Sequence, residues 1–139
     1  MASPLDRQPA WGMFPLRLVV GIVFIAHSWI KFHMMGIAGT TKFMGGLGIP
    51  MPNVAAVCII ALEAIGGLAL ILGVGTRLFA PLLAMDMLGA IFFAKRHAGL
   101  IGPNSWELEA TLCAACVTLA IVGAGGASID ALGRRRRAA

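Results

Sequence analysis

Four runs of apolar residues, each close to the length needed to cross a bilayer, constrain the fold of this chain more than any other feature. They span residues 16–35, 54–73, 78–94 and 108–125. A helix needs about 20 predominantly apolar residues to cross the hydrocarbon core. Of the 139 residues, 59% are hydrophobic and 12% are charged, whereas soluble domains carry about 25% charged residues. The sequence therefore predicts one all-α domain, residues 1–139, folded as an integral membrane four-helix bundle.

The positions of the basic residues predict the orientation of this bundle. Lys and Arg concentrate in the cytoplasmic segments of membrane proteins. Seven arginines lie on the side of the membrane that would hold the N-terminus, the turn between the second and third runs, and the C-terminus; they are Arg7, Arg17, Arg77 and residues 134–137. Three basic residues lie on the opposite side: Lys42, Lys95 and Arg96. We therefore expect both termini in the cytoplasm. We interpret the net charge of +5 as a determinant of membrane orientation and not as a sign of nucleic-acid binding. In the basic tail, the charge could also bind anionic lipid or a partner protein.

The segments outside the apolar runs are short. Residues 1–14 are predicted to form a cytoplasmic arm, and residues 127–139 a basic cytoplasmic tail. The connection over residues 36–53 is rich in Gly and Pro, but its residues 40–47 fit a short interfacial helix. Three residues are predicted to open helices: Pro15, Asn53 and Asn104.

Four ionisable residues fall inside the apolar runs: His27, Lys31, Glu63 and Asp86. Such residues cost at least a few kcal/mol at the bilayer centre, so each needs a polar partner and by default marks function. Counting inward from the ends of antiparallel helices places Glu63 and Asp86 within one turn of the depth of His27. Because His27 and Lys31 are four residues apart, they share a helical face. The sequence therefore predicts that three helices bring these four side chains into one layer.

This layer has a functional and a structural interpretation. One lysine, one histidine and two carboxylates suit a proton relay or a site for a quinone head. The alternative is a buried Lys31–Glu63 ion pair, bridged by His27, that only fixes helix packing. Small residues follow both carboxylates at helical spacing, which predicts that these faces contact other helices. These small residues are Gly66, Gly67, Gly89 and Ala90.

The fourth run carries a CxxC spacing that also has two interpretations. Cys113 and Cys116 have redox spacing, and Cys58 falls at a similar depth. The same cysteines belong to a stripe of residues at steps of four and three that favours close helix packing. This stripe consists of Glu109, Cys113, Cys116, Ala120 and Gly123. Packing is favoured, because a thiol in mid-helix is far from the helix N-terminus that activates redox motifs. His33 and His97 lack paired-ligand spacing, so no metal site is predicted.

Several motifs of the chain resemble the DoxX family of bacterial membrane proteins. They are Arg17-Leu18, His27-Ser28-x-x-Lys31, Phe43-x-x-x-Leu47-Gly48-Ile49-Pro50, Glu63-x-x-Gly66-Gly67, Leu72-Gly73, Thr76-Arg77 and Gly125-Gly126-Ala127-Ser128-Ile129-Asp130. Ser28 stands where the family usually has glycine, and Asp86 and the CxxC motif lie outside its general pattern. Glu109 falls where the last span of the family often starts with a glutamate. The resemblance covers nearly the whole chain and implies a four-helix protein of the bacterial inner membrane.

The resemblance also implies a small set of functions. Members are linked to thiosulfate oxidation with quinone as acceptor, to redox-defence complexes and to accessory subunits. Our first hypothesis is a redox-associated subunit whose polar layer relays protons or binds quinone, in the latter case through Lys31, Glu63 and Glu109. A partner would hold the electron carrier, since no cofactor of its own is evident. The alternatives are a non-catalytic assembly subunit and, with less support, a small-solute carrier. The expected partners are the lipid bilayer and other membrane subunits or a second copy.

Overall fold

The computed structural model describes residues 9–137, and their side chains over residues 11–133. All elements of this part of the chain are helical: α1 Pro9–Ile30, α2 Gly36–Gly46, α3 Pro52–Leu72, α4 Thr76–Ala90, α5 Glu107–Val122 and α6 Ile129–Arg137, with π-helical segments at Lys31–Met35 and Ile91–Lys95. Three stretches are long and apolar enough to cross a membrane, namely Trp11–Gly46, Pro52–Leu72 and Thr76–Lys95. The predicted all-helical membrane class is therefore confirmed, while α5, with 16 residues, is shorter than these three.

Four helices share one apolar core. Helix α1 packs along α3 and α4 along α5, while α3 also contacts α4 and α1 contacts α5. The buried core takes side chains from all four: Val20, Phe24, Leu70, Leu83, Leu112 and Leu119. Large apolar side chains also cover the outside of the bundle, among them Val19, Ile65, Met85 and Ile121. A helix that is apolar on both its inner and outer faces is expected where lipid replaces water.

Glycines allow α1 and α3 to approach closely. A Cβ atom on Gly21 would lie 2.5 Å from the carbonyl oxygen of Gly67, and one on Gly67 would lie 2.7 Å from the carbonyl oxygen of Gly21. On the next position of α3, a Cβ on Gly66 would lie 3.1 Å from the Leu83 side chain of α4. The prediction that Gly66 and Gly67 face neighbouring helices is therefore confirmed.

One end of the bundle, which we call the turn end, is held by hydrogen bonds to the backbone. It contains the first turns of α1, the α3–α4 turn and the segment after α5. The fully buried Arg17 donates from Nη2 to the Ala127 carbonyl oxygen at 2.6 Å. Asp130 accepts from the Gly75 amide through Oδ1 at 3.1 Å and donates its own amide to the Gly73 carbonyl. The start of α1 and the segment after α5 therefore lie at the same end of the bundle.

The opposite end, which we call the loop end, contains α2 and the connection between α4 and α5. Gly36 has φ 69° and ψ 170°, which breaks the helical path after the first π segment. The Thr40 hydroxyl then donates to the Lys31 carbonyl at 3.3 Å. In a straight helix nine residues would separate these groups by about 13 Å, so α2 folds back and packs against α3. The predicted interfacial helix over residues 40–47 is therefore part of a longer helix that covers the bundle.

The predicted helix starts differ from those observed. Helix α1 begins at Pro9 inside the predicted arm, and Pro15 lies within it. The helix therefore already includes the last residues of that arm, and membrane helices tolerate a proline such as Pro15 in their interior. Helix α3 begins at Pro52 after Met51 in the left-handed region (φ 48°), so Asn53 is not its cap.

The last two predicted boundaries also need correction. Asn104 has φ 59° and lies in a turn, a conformation that asparagine tolerates. Trp106 directly precedes α5 and makes no side-chain cap hydrogen bond. The predicted tail over residues 127–139 contains α6, while the side chains of residues 134–137 lie outside the described side chains.

Candidate functional site

The centre of the predicted layer is an ion pair between α3 and the π segment that follows α1. The Lys31 ammonium donates to both oxygens of the Glu63 carboxylate, at 2.6 Å to Oε1 and 2.7 Å to Oε2. The Glu63 side chain is fully buried, whereas 26% of the Lys31 side chain is exposed. An unpaired charge at this depth would cost several kcal/mol. The pair therefore allows a carboxylate to exist in the middle of an apolar helix.

The backbone around Lys31 is irregular, and neighbouring side chains fix it. Lys31 is the first residue of the π segment that follows α1, and π turns inside helices often occur at functional sites. One turn earlier, the Ser28 hydroxyl donates to the Ile60 carbonyl of α3 at 2.8 Å. Ser28 thus adds a third side-chain hydrogen bond to α3, beside the two that Lys31 donates to Glu63.

Asp86 of α4 supplies a second carboxylate to the same layer. It lies beside Glu63 and Lys31 and shares a cavity wall with them. Its Oδ2 atom is buried and has no hydrogen-bond partner among the described residues. The structure therefore brings three of the four predicted residues together from three different helices. The Lys31 ammonium bonds to Glu63 and makes no ion pair with Asp86 among the described contacts, so an Asp86 oxygen remains available to a ligand or a proton.

A cavity of about 420 Å³ lies next to these three groups. Apart from Lys31, Glu63 and Asp86 its wall is apolar and comes from α2, α3, α4, the second π segment and the connection after α2. The larger apolar residues of this wall are Phe43, Met44, Leu47, Ile59, Leu62, Leu82, Met85 and Phe93. Phe43 and Met85 are also exposed on the outside of the bundle. The cavity is therefore open to the apolar outer surface and ends inward at the charged groups, and its size is typical of small-molecule sites.

Gly89 has a different role from the predicted one. The sequence places it on a helix-packing face, but a Cβ atom built on Gly89 meets no described atom within 4 Å. Gly89 lines the cavity together with Ala90. The small side chains that follow Asp86 therefore leave open volume beside the carboxylate.

A second ion pair, which the sequence analysis missed, lies toward the loop end. The Lys95 ammonium, at the end of the second π segment, lies 2.6 Å from Oε1 of Glu109 and donates to the Ser105 carbonyl at 2.9 Å. Glu109 was predicted as a quinone ligand, but it is not among the described residues that line the cavity. The sequence signal that could have predicted this pair is the opposite charge of Lys95 and Glu109, which flank the same predicted outer loop.

His27 does not bridge the Lys31–Glu63 pair. The two groups contact each other directly, and the half-buried imidazole makes no hydrogen bond within the described part of the chain. Its ring lies within electrostatic range of Lys31, Lys95 and Glu109. The prediction of a bridging histidine is therefore wrong, because the lysine side chain is long enough to reach Glu63 alone.

The cysteines and the remaining histidines occupy other environments. All three cysteines are free thiols: Cys116 is fully buried in the core, Cys113 is half-buried, and Cys58 is exposed on the outside of α3. His33 is exposed and stacks on Trp29 with 3.5 Å between ring centroids. The exposed His97 accepts a hydrogen bond from Arg96 at 3.0 Å. The CxxC positions of α5 thus belong to the packed face that the stripe of small residues predicts.

The fold and the site define a helical membrane protein with a charged layer beside an apolar cavity. Residues 12–96 match the DoxX family model. The protein "Putative oxidoreductase CatD" of Bacillus subtilis is 34% identical over 119 residues, 86% of this chain and 84% of that protein. Inner membrane protein YphA of Escherichia coli is 32% identical over 121 residues, 82% of this chain and 84% of its own length. Inner membrane protein YqjF of Escherichia coli is 33% identical over 122 residues, covering 87% and 91%. No solved structure matches.

This chain belongs to the DoxX family. Two of these relatives are named as inner membrane proteins, and three stretches of its helices are long and apolar enough to span a bilayer. It is therefore a multi-pass protein of the bacterial inner membrane. The family match spans α1 to α4, and so includes Lys31, Glu63 and Asp86 but not Glu109.

Proposed function

We propose that this protein is a redox-associated membrane subunit that binds an isoprenoid quinone in the cavity beside Lys31, Glu63 and Asp86. The single observation that carries the proposal is the shape and chemistry of this cavity. Its apolar walls suit an isoprenoid tail, and its opening lies on the outer surface, where a lipid-soluble substrate would enter. Its inner end offers one ammonium and two carboxylates to a polar head. The name of the relative CatD, which contains the word oxidoreductase, is consistent with this class.

The charged groups suit the proton chemistry of a quinone. Reduction of one quinone to its quinol consumes two electrons and two protons. The Lys31 ammonium is placed to donate a hydrogen bond to a quinone carbonyl, and positive charge there stabilises the negative charge that reduction places on that oxygen. Asp86, with its unpartnered oxygen, is placed to accept a hydrogen bond from the quinol hydroxyl or to supply a proton. In this proposal the electrons come from a carrier held by a partner subunit.

We further propose four membrane crossings with the turn end in the cytoplasm. Two observations support this arrangement: α5 shares the apolar core with three span-length helices, and the start of α1 lies at the same end as the segment after α5. Exposed Arg77 lies at this end, whereas exposed Lys42 and Arg96 lie at the loop end. In a background without the native cysteines, a cysteine at Lys42 should react with an impermeant thiol reagent from the periplasm. A cysteine at Gly133 should not.

The quinone proposal is tested by purifying the protein gently in native lipid and analysing its quinones and polypeptides by mass spectrometry. We expect about one quinone per chain, and its loss in Glu63→Gln. Glu107→Gln is the matched control, because Glu107 is exposed at the start of α5. Quinone-linked turnover in membranes should fall with the same variant. Stable partner subunits without quinone would instead support a non-catalytic assembly protein, with the charged layer only fixing helix packing.

A further inference from the structure

Helix α2 is attached to the rest of the bundle by few buried side chains. Of its 11 residues only Thr40 and Met44 are buried, and they lie one turn apart on the same face. The Thr40 hydroxyl donates to the Lys31 carbonyl at 3.3 Å, and the Met44 side chain lines the cavity. The π segment that precedes α2 has no buried residue. A segment with so few buried side chains opens at a lower cost in free energy than the core of a domain.

The backbone on both sides of α2 takes conformations that favour glycine. Gly36, where α2 begins, has φ 69° and ψ 170°, and Gly48, just after α2, has φ 76°. A Cβ atom built at either position would meet no described atom within 4 Å. Close packing therefore does not require these two glycines, in contrast to Gly21 and Gly67, but their backbone conformations do. Residues that absorb such backbone changes at the ends of an element act as hinges.

Helix α2 and the connection after it form one wall of the cavity that also contains Lys31, Glu63 and Asp86. This wall consists of Phe43, Met44, Leu47 and Ile49. On the loop-end side, α2 therefore separates the charged groups from the outside of the bundle. The cavity has its other opening beside Met85, on the apolar outer surface. Apolar molecules can use that opening, whereas water and ions need a path past α2.

We infer that α2 is a lid that closes the cavity at the loop end, and that the hydrogen bond from Thr40 to Lys31 holds this lid shut. This inference deepens the proposed function and rests on it for the identity of the ligand, because it names how access to the same site is regulated. With the lid shut, the charged groups face a cavity without bulk water, where their interactions with a polar head are stronger. With the lid open, water reaches Lys31 and both carboxylates.

The lid can be tested without quinone, by measuring how fast a charged reagent reaches the cavity. In a full chain without the native cysteines, Gly89→Cys places a thiol in open volume of the cavity wall. The protein is reconstituted in lipid nanodiscs and treated with a methanethiosulfonate that carries a trimethylammonium group, and mass spectrometry follows the adduct. Lipid covers the apolar opening and excludes a permanent charge. The reagent must therefore enter past α2.

Thr40→Val removes the hydroxyl with little change in shape and should raise the reaction rate about fivefold. This factor corresponds to about 1 kcal/mol, the typical net contribution of one hydrogen bond. Thr40→Ser keeps the hydroxyl and should react at the original rate. The matched control Thr41→Val makes the same chemical change at the neighbouring residue and should leave the rate unchanged. Equal rates in Thr40→Val and Thr41→Val would overturn the inference.

A second variant covers the case in which Thr40→Val does not fold. Met44→Ala removes the other buried side chain of α2 and should raise the rate at least about tenfold, since a buried methionine contributes more than one hydrogen bond. A thiol at the exposed position of Lys42 gives the rate for free access to the reagent. If Gly89→Cys reacts as fast as Lys42→Cys with α2 otherwise unchanged, the cavity is open to water at all times and the lid is contradicted.

The inference and the proposed function can fail separately, because quinone is absent from these reactions. A chain that copurifies with no quinone, yet whose Gly89→Cys thiol reacts faster in Thr40→Val, would reject the quinone site and keep the lid. A chain that binds quinone, with a reaction rate independent of Thr40, would keep the quinone site and reject the lid.

Discussion

Arg17 at the turn end and Lys31 at the cavity are both cations inside an apolar helix bundle, but their surroundings differ. Arg17 is fully buried and donates to a backbone carbonyl, and Asp130 lies near its guanidinium. Lys31 is partly exposed, donates to a side-chain carboxylate, and lines a cavity of about 420 Å³ beside a second carboxylate. Arg17 therefore connects segments of the fold, whereas Lys31 presents its charge to a space that a ligand can enter.

This comparison shows that a buried charge does not identify a functional site by itself. Each cation binds a segment other than its own, Lys31 through an ion pair and Arg17 through a backbone carbonyl, although Nε and Nη1 of Arg17 are buried without a hydrogen-bond partner among the described residues. What distinguishes them is accessible volume and an acceptor without a partner, here the Oδ2 atom of Asp86. Variants that separate stability from quinone binding test the distinction directly.

The largest expected effect comes from replacing the charged pair by apolar residues in Lys31→Met/Glu63→Leu. A buried ion pair exchanged for packed apolar side chains often leaves stability unchanged or higher, so the protein should fold. Its quinone affinity should fall at least about a hundredfold, or about 2.7 kcal/mol. Equilibrium binding of ubiquinone-1 in nanodiscs, together with thermal unfolding, measures both quantities. A folded double variant that binds quinone normally would make the pair structural.

The next effect is the loss of stability in Arg17→Met. The Ala127 carbonyl loses its charged donor and Asp130 loses the nearby cation, which should lower the free energy of unfolding by about 2 kcal/mol. The quinone affinity of the folded fraction should not change, because Arg17 lies at the turn end, away from the cavity. Thermal unfolding and quinone binding on the same preparation check this. Weaker quinone binding at unchanged stability would show that Arg17, like Lys31, acts in ligand binding, and would contradict the distinction between the two cations.

A smaller effect is expected when a side chain is added at Gly89, which lines the cavity and packs against no other residue. Gly89→Leu places a side chain in open volume, so it should reduce quinone affinity about tenfold, or about 1.4 kcal/mol, with little change in stability. Its counterpart Gly67→Ala puts a methyl group against the Gly21 carbonyl and should cost about 1–3 kcal/mol of stability. Full quinone affinity in Gly89→Leu would show that the ligand binds elsewhere.

The smallest effect is expected for the CxxC motif. Because Cys116 is buried in the core and Cys113 packs against it, Cys113→Ala/Cys116→Ala should lower stability by about 1 kcal/mol through lost packing. Quinone-linked turnover in membranes should remain within about twofold, since 1 kcal/mol of stability leaves most chains folded. Loss of turnover in a stable variant would revive the redox interpretation of these cysteines.

The meeting of Lys31, Glu63 and Asp86 was predictable from sequence, because membrane helices rise by a constant distance per residue and antiparallel neighbours therefore share depth. The same regularity predicted the packing of Gly66 and Gly67. These predictions needed only the helical period and the lengths of the apolar runs.

The features that periodicity does not encode were missed. The cover formed by α2 depends on the break at Gly36, and the cavity is open at Gly89, where a Cβ would meet nothing within 4 Å. The Lys95–Glu109 pair depends on the path of an irregular connection. Helix starts were wrong at Pro15, which lies inside α1, and at Asn53, since Pro52 takes the first position of α3.

The most direct test of the central claim is to locate the quinone on the protein by photolabelling. A short-chain azidoquinone is irradiated with the full chain in nanodiscs, and the labelled peptides are identified by mass spectrometry, with ubiquinone-1 as competitor. We predict labelling on the cavity wall, at Met44 of α2 and Met85 of α4, which competitor prevents and Gly89→Leu reduces. Labelling spread over lipid-facing side chains such as Ile121, unaffected by competitor or by Gly89→Leu, would contradict a quinone site beside Lys31 and Glu63.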